Sequence, residues 1–259
     1  MATSDCNTAL LAELAKMKAA LDRCRPLNQA SLQLIQDDLM LKYNQQSNAI
    51  EGNRLDIFET KVLLENGITA NGKPFKDHLD ILNHQEAIYY LIDLGKENNP
   101  LDESTVKNFH YLILQKTDHA REAGKYRTIP VAISGAEHQP PQPYLVQPQM
   151  AELIAWNAMQ TDKLNPIERA AILHSRFVAV HPFIDGNGRT GRLLLNLELM
   201  KAGYQVAILQ AEKRVDYYRA LAEADDGKYQ SIIRFVAEAL KETMLRTLTI
   251  LNANWQTAN

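Results

Sequence analysis

The chain has 259 residues, 46% apolar and 23% charged, which is enough for one large core or a core with a helical extension. Its 28 Lys and Arg against 31 Asp and Glu give a formal charge of -3, a balance without global attraction to nucleic acid or anionic membranes. No apolar run approaches the ~20 residues that span a bilayer, and Asp5, Glu13, Lys16 and Lys18 interrupt the N-terminal stretch before a secretory segment forms, so a cytoplasmic location is the expectation.

Helical periodicity dominates the chain. Leu10, Leu11, Leu14, Met17 and Leu21 recur at helical spacing, and Arg25-Pro26 closes that segment. Cys6 and Cys24, with that helix between them, read as reduced thiols rather than a disulfide or zinc site. A second helix runs over 28–51 with Leu32, Ile35, Leu39 and Tyr43 on one face, and Gly52 ends it. Helices over 56–65 and 77–94 follow, separated by Asn66-Gly67 and Asn71-Gly72 turns. Asp102 caps another that reaches about residue 116, turning Val106, Phe109, Ile113 and Leu114 inward.

From 124 to 148 the pattern changes. Thr128-Ile129-Pro130-Val131-Ala132-Ile133 favours extended structure, and Pro140, Pro141, Pro143 and Pro148 follow, so a small β-hairpin or extended flap is expected. Helices resume over 148–159, over 165–180 with Asn165 as cap and Pro166 at the first position, and from 188 to 201. Two more, over 214–223 and 228–251, complete an all-α fold with one small β element.

The chemistry gathers in His181-Pro182-Phe183-Ile184-Asp185-Gly186-Asn187-Gly188-Arg189-Thr190-Gly191-Arg192. A histidine takes a proton from a hydroxyl, and an aspartate holds a hard cation such as Mg²⁺. Gly186 and Gly188 permit positive φ, turning backbone N–H groups around an anion, and the helix that starts there adds its positive end. Arg189 and Arg192, three apart, share a helix face from which both fork onto phosphate oxygens. A helix–loop–helix junction with one satisfied histidine explains only part of this set. His78, His84, His110, His119, His138 and His174 have no HExxH or cysteine-rich partner pattern that would point to zinc, and no P-loop or dinucleotide fingerprint competes for a nucleotide.

This motif matches HxFx(D/E)GNGRxxR, and the chain therefore resembles the Fic-domain family. Ser47-Asn48-Ala49-Ile50-Glu51-Gly52 is similar to the family's (S/T)xxxE(G/N) inhibitory helix, and Glu122-Ala123-Gly124-Lys125-Tyr126-Arg127 to the run entering its target-docking flap. The likeness extends over about residues 43–240. It implies a Fic-type helical bundle: an N-terminal helical extension over 1–55 that includes the inhibitory helix, then a catalytic core over 56–259 with a flap near 128–147.

By resemblance, His181 is the general base and Asp185 the Mg²⁺ ligand. The nucleotide is held by Asp185, Gly186, Asn187, Gly188, Arg189, Thr190, Gly191 and Arg192, with Tyr217 and Tyr218 lining the adenosine pocket. Glycine at 188, where phosphorylating relatives carry lysine, implies nucleotidyl transfer. One of the two tyrosines, at helical spacing, also reads as core, and Asp225, near where some relatives use asparagine, leaves the nucleobase open. Glu51 is inhibitory through Arg192, with Ser47 one turn earlier positioning its carboxylate; otherwise it is a solvated residue at a helix end. Val131, Ile133 and Ser134 form the docking edge of the flap, or else a proline-rich surface loop.

The implied activity is a self-inhibited protein adenylyltransferase. It transfers AMP from ATP to a Ser, Thr or Tyr hydroxyl of a target protein and of itself, releasing pyrophosphate. No nucleic-acid or membrane partner is expected. Two alternatives stay open: AMP removal from a modified protein, with Glu51 positioning water, and a non-catalytic ATP-binding regulatory module.

Overall fold

The computed structural model describes residues 2–97, 99–133, 137–253 and 255–256. Among them run ten α-helices: α1 (Ala2–Arg23), α2 (Gln29–Ile50), α3 (Ile57–Asn66), α4 (Phe75–Gly95), α5 (Glu103–Leu114), α6 (Pro143–Met159), α7 (Pro166–Val180), α8 (Asn187–Lys201), α9 (Arg214–Asp225) and α10 (Gln230–Ile250).

Local chemistry sets most of these boundaries. Asn28 accepts a hydrogen bond from the Ser31 N–H at 2.8 Å to start α2. Asp56 and Glu59 exchange side-chain-to-backbone bonds in a capping box at α3. Asp102 caps α5 through Thr105, and Asn165 caps α7 through Ile167 with Pro166 in the first turn.

α8 is the axis of the molecule. Leu193, Leu194, Leu195, Leu197 and Leu199 are all at most 1% exposed, because helices pack against α8 on both sides. On one side Leu195 and Leu199 join a core with α1, α7, α9 and α10, to which α1 contributes Leu11, Leu14, Met17 and Ala20. On the other, Leu193, Leu194 and Leu197 join α4, α5 and α6 around Phe109, Phe177 and Phe183. α7 lies close against α8 at Gly191, where a Cβ would stand 3.0 Å from His174 and 3.1 Å from Phe177.

In its helices and flap the structure departs from the sequence reading in three places. The first is the β-hairpin: among the described residues of the flap region no strand pairs, and 128–133 and 137–142 are irregular. Pro130, Pro140 and Pro141 have no N–H for a ladder, and Arg127 already occupies the carbonyls of Ile129 and Pro141. Ser134, the last of the expected docking residues, lies outside the described residues.

The second is α6, which begins at Pro143, so Pro148 falls inside it. The i−4 acceptor that Pro148 leaves unused belongs to Tyr144, in a first turn whose side chain is 77% exposed, where water can serve that carbonyl. The third is Leu32, placed on the buried face of α2 by its spacing but 51% exposed, because packing of that helix begins only at Ile35. No helix of the described residues is long and apolar enough to cross a membrane.

Candidate functional site

The junction of α7 and α8 builds the site. α7 ends on His181 itself, which adopts the left-handed conformation (φ +48°) and so breaks the helix just where the motif begins. Its Nδ1 lies 3.3 Å from the Val178 carbonyl. A carbonyl only accepts, so the proton sits on Nδ1 and the Nε2 lone pair is left as a base. Burial lowers the His181 pKa from the usual histidine value. Arg127 adds to the lowering, while the Val178 bond, Glu51 and Asp185 oppose it.

Phe183 then plunges into the core, fully buried and stacked on His110 at 3.6 Å between ring centroids. Asn187 staples the loop: its amide donates to the Phe183 carbonyl at 2.8 Å and its carbonyl accepts the Phe183 N–H at 2.9 Å. Gly186, at φ +76°, is the N-cap of α8, a conformation few residues but glycine adopt. Its N–H donates to the Asp185 carboxylate at 2.7 Å. Burial pushes the Asp185 carboxyl up, but Arg189, the Gly186 N–H, Lys76 and His119 outweigh it, and the net shift is downward. A cavity of ≈ 220 Å³ opens beside Asp185, with Lys76, Asp80 and His119 in its wall.

Gly188 works differently from the positive-φ turn expected. It lies in the first turn of α8, and a Cβ there would stand 2.2 Å from Glu51 Oε1. Its missing side chain is what admits the Glu51 carboxylate. That carboxylate accepts a bond from Arg192 Nη2 at 2.7 Å, across 141 residues of chain. Ser47 is placed differently from its expected role: its hydroxyl accepts from Arg192 Nε at 3.0 Å and its carbonyl from Arg192 Nη2 at 2.7 Å. Ser47 thus orients the arginine rather than the glutamate. Burial alone would lower the Arg192 pKa, but Glu51 and the nearby tyrosines reverse the shift upward, so the side chain stays a cation although 1% exposed. Nη1 of Arg192 has no partner among the described residues.

Arg189 is likewise engaged. Asp80 on α4 accepts from it at 2.8 Å, and Asp185 stands 3.9 Å away. The two arginines share the motif but each faces a carboxylate of another helix. α2 is bound to α4 by polar contacts: Asn44 donates to the Ile81 carbonyl and to Gln85, and within α2 Asn48 donates to Asn44.

Thr190 is fully buried and Gly191 lies against α7, so both are turned inward from the loop. Tyr217 is 1% exposed, with its hydroxyl 2.8 Å from His174 Nε2, and burial pushes its pKa up to about 12. Tyr218, its ring 5.4 Å from Tyr217, is 48% exposed. Val131 and Ile133 are half-buried on the irregular first leg of the flap.

Sequence reasoning passed over three supporting residues. Asp80 is one turn beyond Lys76 on a mostly buried face of α4. His110 sits in the apolar register of α5, four residues after Val106; its Nδ1 accepts the Gly124 N–H, so its Nε2–H donates to the Asp185 carbonyl at 2.9 Å. A histidine at an inward position of an amphipathic helix was the available signal. Arg127 closes the run Gly124-Lys125-Tyr126-Arg127 and binds the carbonyl of His181 at 2.8 Å.

Comparison with known proteins bears on the family and the fold. Residues 100–199 match the model of the Fic/DOC family. The chain is 38% identical over 201 residues to protein adenylyltransferase fic-1 of Caenorhabditis briggsae, covering 76% of this chain and 39% of that protein. It is 36% identical over 200 residues to protein adenylyltransferase Fic of Nematostella vectensis, covering 76% and 46%. The chain therefore spans less than half the length of these curated relatives. Residues 134–508 of Fic-1 from C. elegans superpose with a TM-score of 0.85 at 30% identity, over 96% of this chain and 74% of that one. A Fic domain-containing signalling protein from Bacteroides thetaiotaomicron gives a TM-score of 0.86 at 25% identity, over 95% and 100% of the two chains.

Proposed function

Because the chain belongs to the Fic/DOC family, we propose that it is a protein adenylyltransferase restrained by its own Glu51. In this reading a Ser, Thr or Tyr hydroxyl of a target protein attacks the α-phosphorus of ATP. His181 Nε2 takes the hydroxyl proton, a P–O bond forms to the target, and the bond to pyrophosphate breaks. Arg189, Arg192 and the free N–H groups at the start of α8 balance the charge on the phosphates. Such a reaction asks the protein mainly for alignment and charge stabilisation.

Asp185 suits a magnesium ion. It is a single hard carboxylate, 41% exposed, and magnesium is commonly bound by one or two carboxylates together with phosphate oxygens and water. When bound, magnesium supplies charge neutralisation on the phosphates.

The observation that carries the restraint is the 2.7 Å bond from Arg192 to Glu51 above Gly188. It places a carboxylate where an anion would otherwise meet the arginine and the N–H groups of the loop. Glu51→Gly removes that carboxylate. The test is intact mass spectrometry of wild type, Glu51→Gly and Glu51→Gly/His181→Ala after incubation with Mg²⁺ and ATP. A gain of ~329 Da, one AMP transferred from ATP, is expected in Glu51→Gly alone. Equal labelling of wild type and Glu51→Gly would reject the restraint, and labelling of the double variant would reject His181 as base.

A second reading has its own support. Only Oε1 of Glu51 bonds Arg192, and Oε2 has no hydrogen bond among the described residues. That open oxygen could hold a water for hydrolysis of an AMP–protein bond. AMP release from a pre-modified protein by wild type, lost in Glu51→Gly, separates this reading from the first.

A further inference from the structure

Arg127 is 2% exposed, yet among the described residues no carboxylate pairs with it. Its bonds all go to backbone carbonyls. Nε donates to His181 at 2.8 Å, Nη1 to Ile129 at 3.2 Å and Nη2 to Pro141 at 2.6 Å. Its own backbone N–H donates to the Pro182 carbonyl at 2.9 Å. Ile129 lies on the first leg of the flap region and Pro141 on the second, and Arg127 bridges both to His181.

A buried cation without a counter-charge is costly, and burial lowers the Arg127 pKa accordingly. Packing alone would be better served by an apolar side chain. What arginine adds is a planar fork with donors in fixed directions, able to meet carbonyls from three separate segments at once. The carbonyl it holds at His181 follows a non-glycine residue at φ +48°, a conformation that persists only where its surroundings enforce it. Holding that carbonyl holds the backbone from which the imidazole projects, while the Val178 carbonyl orients the ring itself.

We propose that Arg127 is a positioning residue that fastens both legs of the flap to the backbone of His181, so that a target held by the flap is in register with the base. The inference rests on the adenylyltransferase reading above. It predicts a loss in transfer rate with ATP binding preserved. A residue that only stabilised the fold would weaken both together.

The experiment uses Glu51→Gly as parent and adds Arg127→Ala or Arg127→Lys, measuring ATP affinity by calorimetry and AMP transfer by intact mass. Transfer by Arg127→Ala should fall about 100-fold, the scale for a small misplacement of a reacting group. ATP affinity should stay within about threefold. Lysine, with a single point of attachment, should recover little. Millimolar guanidinium should restore Arg127→Ala, and an ammonium salt should not.

Transfer at the parent's rate in either variant overturns the proposal. So does ATP affinity that falls in step with transfer. Failure of both variants to fold, with or without guanidinium, would assign Arg127 to the fold alone and also overturn it. A parent that never acquires AMP would sink the underlying reading instead, and this inference with it.

Discussion

At the scale of residues, one cation organises the site. Arg192 reaches three acceptors on α2, two of them from Ser47, and is held there although almost fully buried. Removing the Ser47 hydroxyl leaves the Arg192 Nε buried without a partner, at a cost of about 1–3 kcal/mol. Because that bond exists only while α2 is docked, Ser47→Ala should weaken docking as well as stability. We expect a lower thermal midpoint and a basal AMP transfer raised several-fold to about tenfold, ten being the equivalent of about 1.4 kcal/mol. Calorimetry and intact mass together check this; both quantities unchanged would remove Ser47 from the restraint.

Between elements, a second buried pair has no part in the chemistry and shows what holds the frame. Arg169 near the start of α7 bonds Glu198 near the end of α8, and also Asn157 in the last turn of α6 at 3.1 Å. The pair is 8% and 3% exposed. Its net contribution against an apolar pair is small, but losing one partner strands the other charge. Glu198→Ala should therefore cost about 3–5 kcal/mol in chemical denaturation, with ATP affinity maintained at the opposite end of α8. A loss near zero would mean that Arg169 finds water or another acceptor.

The whole molecule buries several neutral histidines, and this gives it a pH signature. Burial pulls His110 and His174 down to about 4, and His84 well below 6.5 as well. In the unfolded chain each titrates near ~6.5. Above that value both states are neutral and the groups contribute nothing to the pH dependence. Below it the unfolded chain binds protons that the native state refuses, so stability falls as pH drops from about 6.5 towards 4. A thermal midpoint that stays flat across this window would contradict the neutral burial of these rings.

Legibility varied from part to part for physical reasons. α7 was readable to its last residue, because Asn165-Pro166 starts it and the motif histidine ends it. α5 and α2 were readable from caps and periodicity. The hairpin was misread because β-propensity over 128–133 says nothing about whether donors remain for a ladder. Pro148 was misread because its effect on α6 depends on where the helix begins.

By itself the sequence determined a predominantly helical chain, the loop with its histidine, aspartate and arginines, and the candidate glutamate at the end of α2. These follow from local rules of capping, period and turn geometry, which act over a few residues. Only the tertiary structure decided that Gly188 is small to admit Glu51, that Ser47 serves Arg192 rather than Glu51, and that Asp80, His110 and Arg127 hold the motif in place. Those contacts join residues 54 to 145 positions apart, and nothing in local propensity records which distant side chain a buried donor will meet.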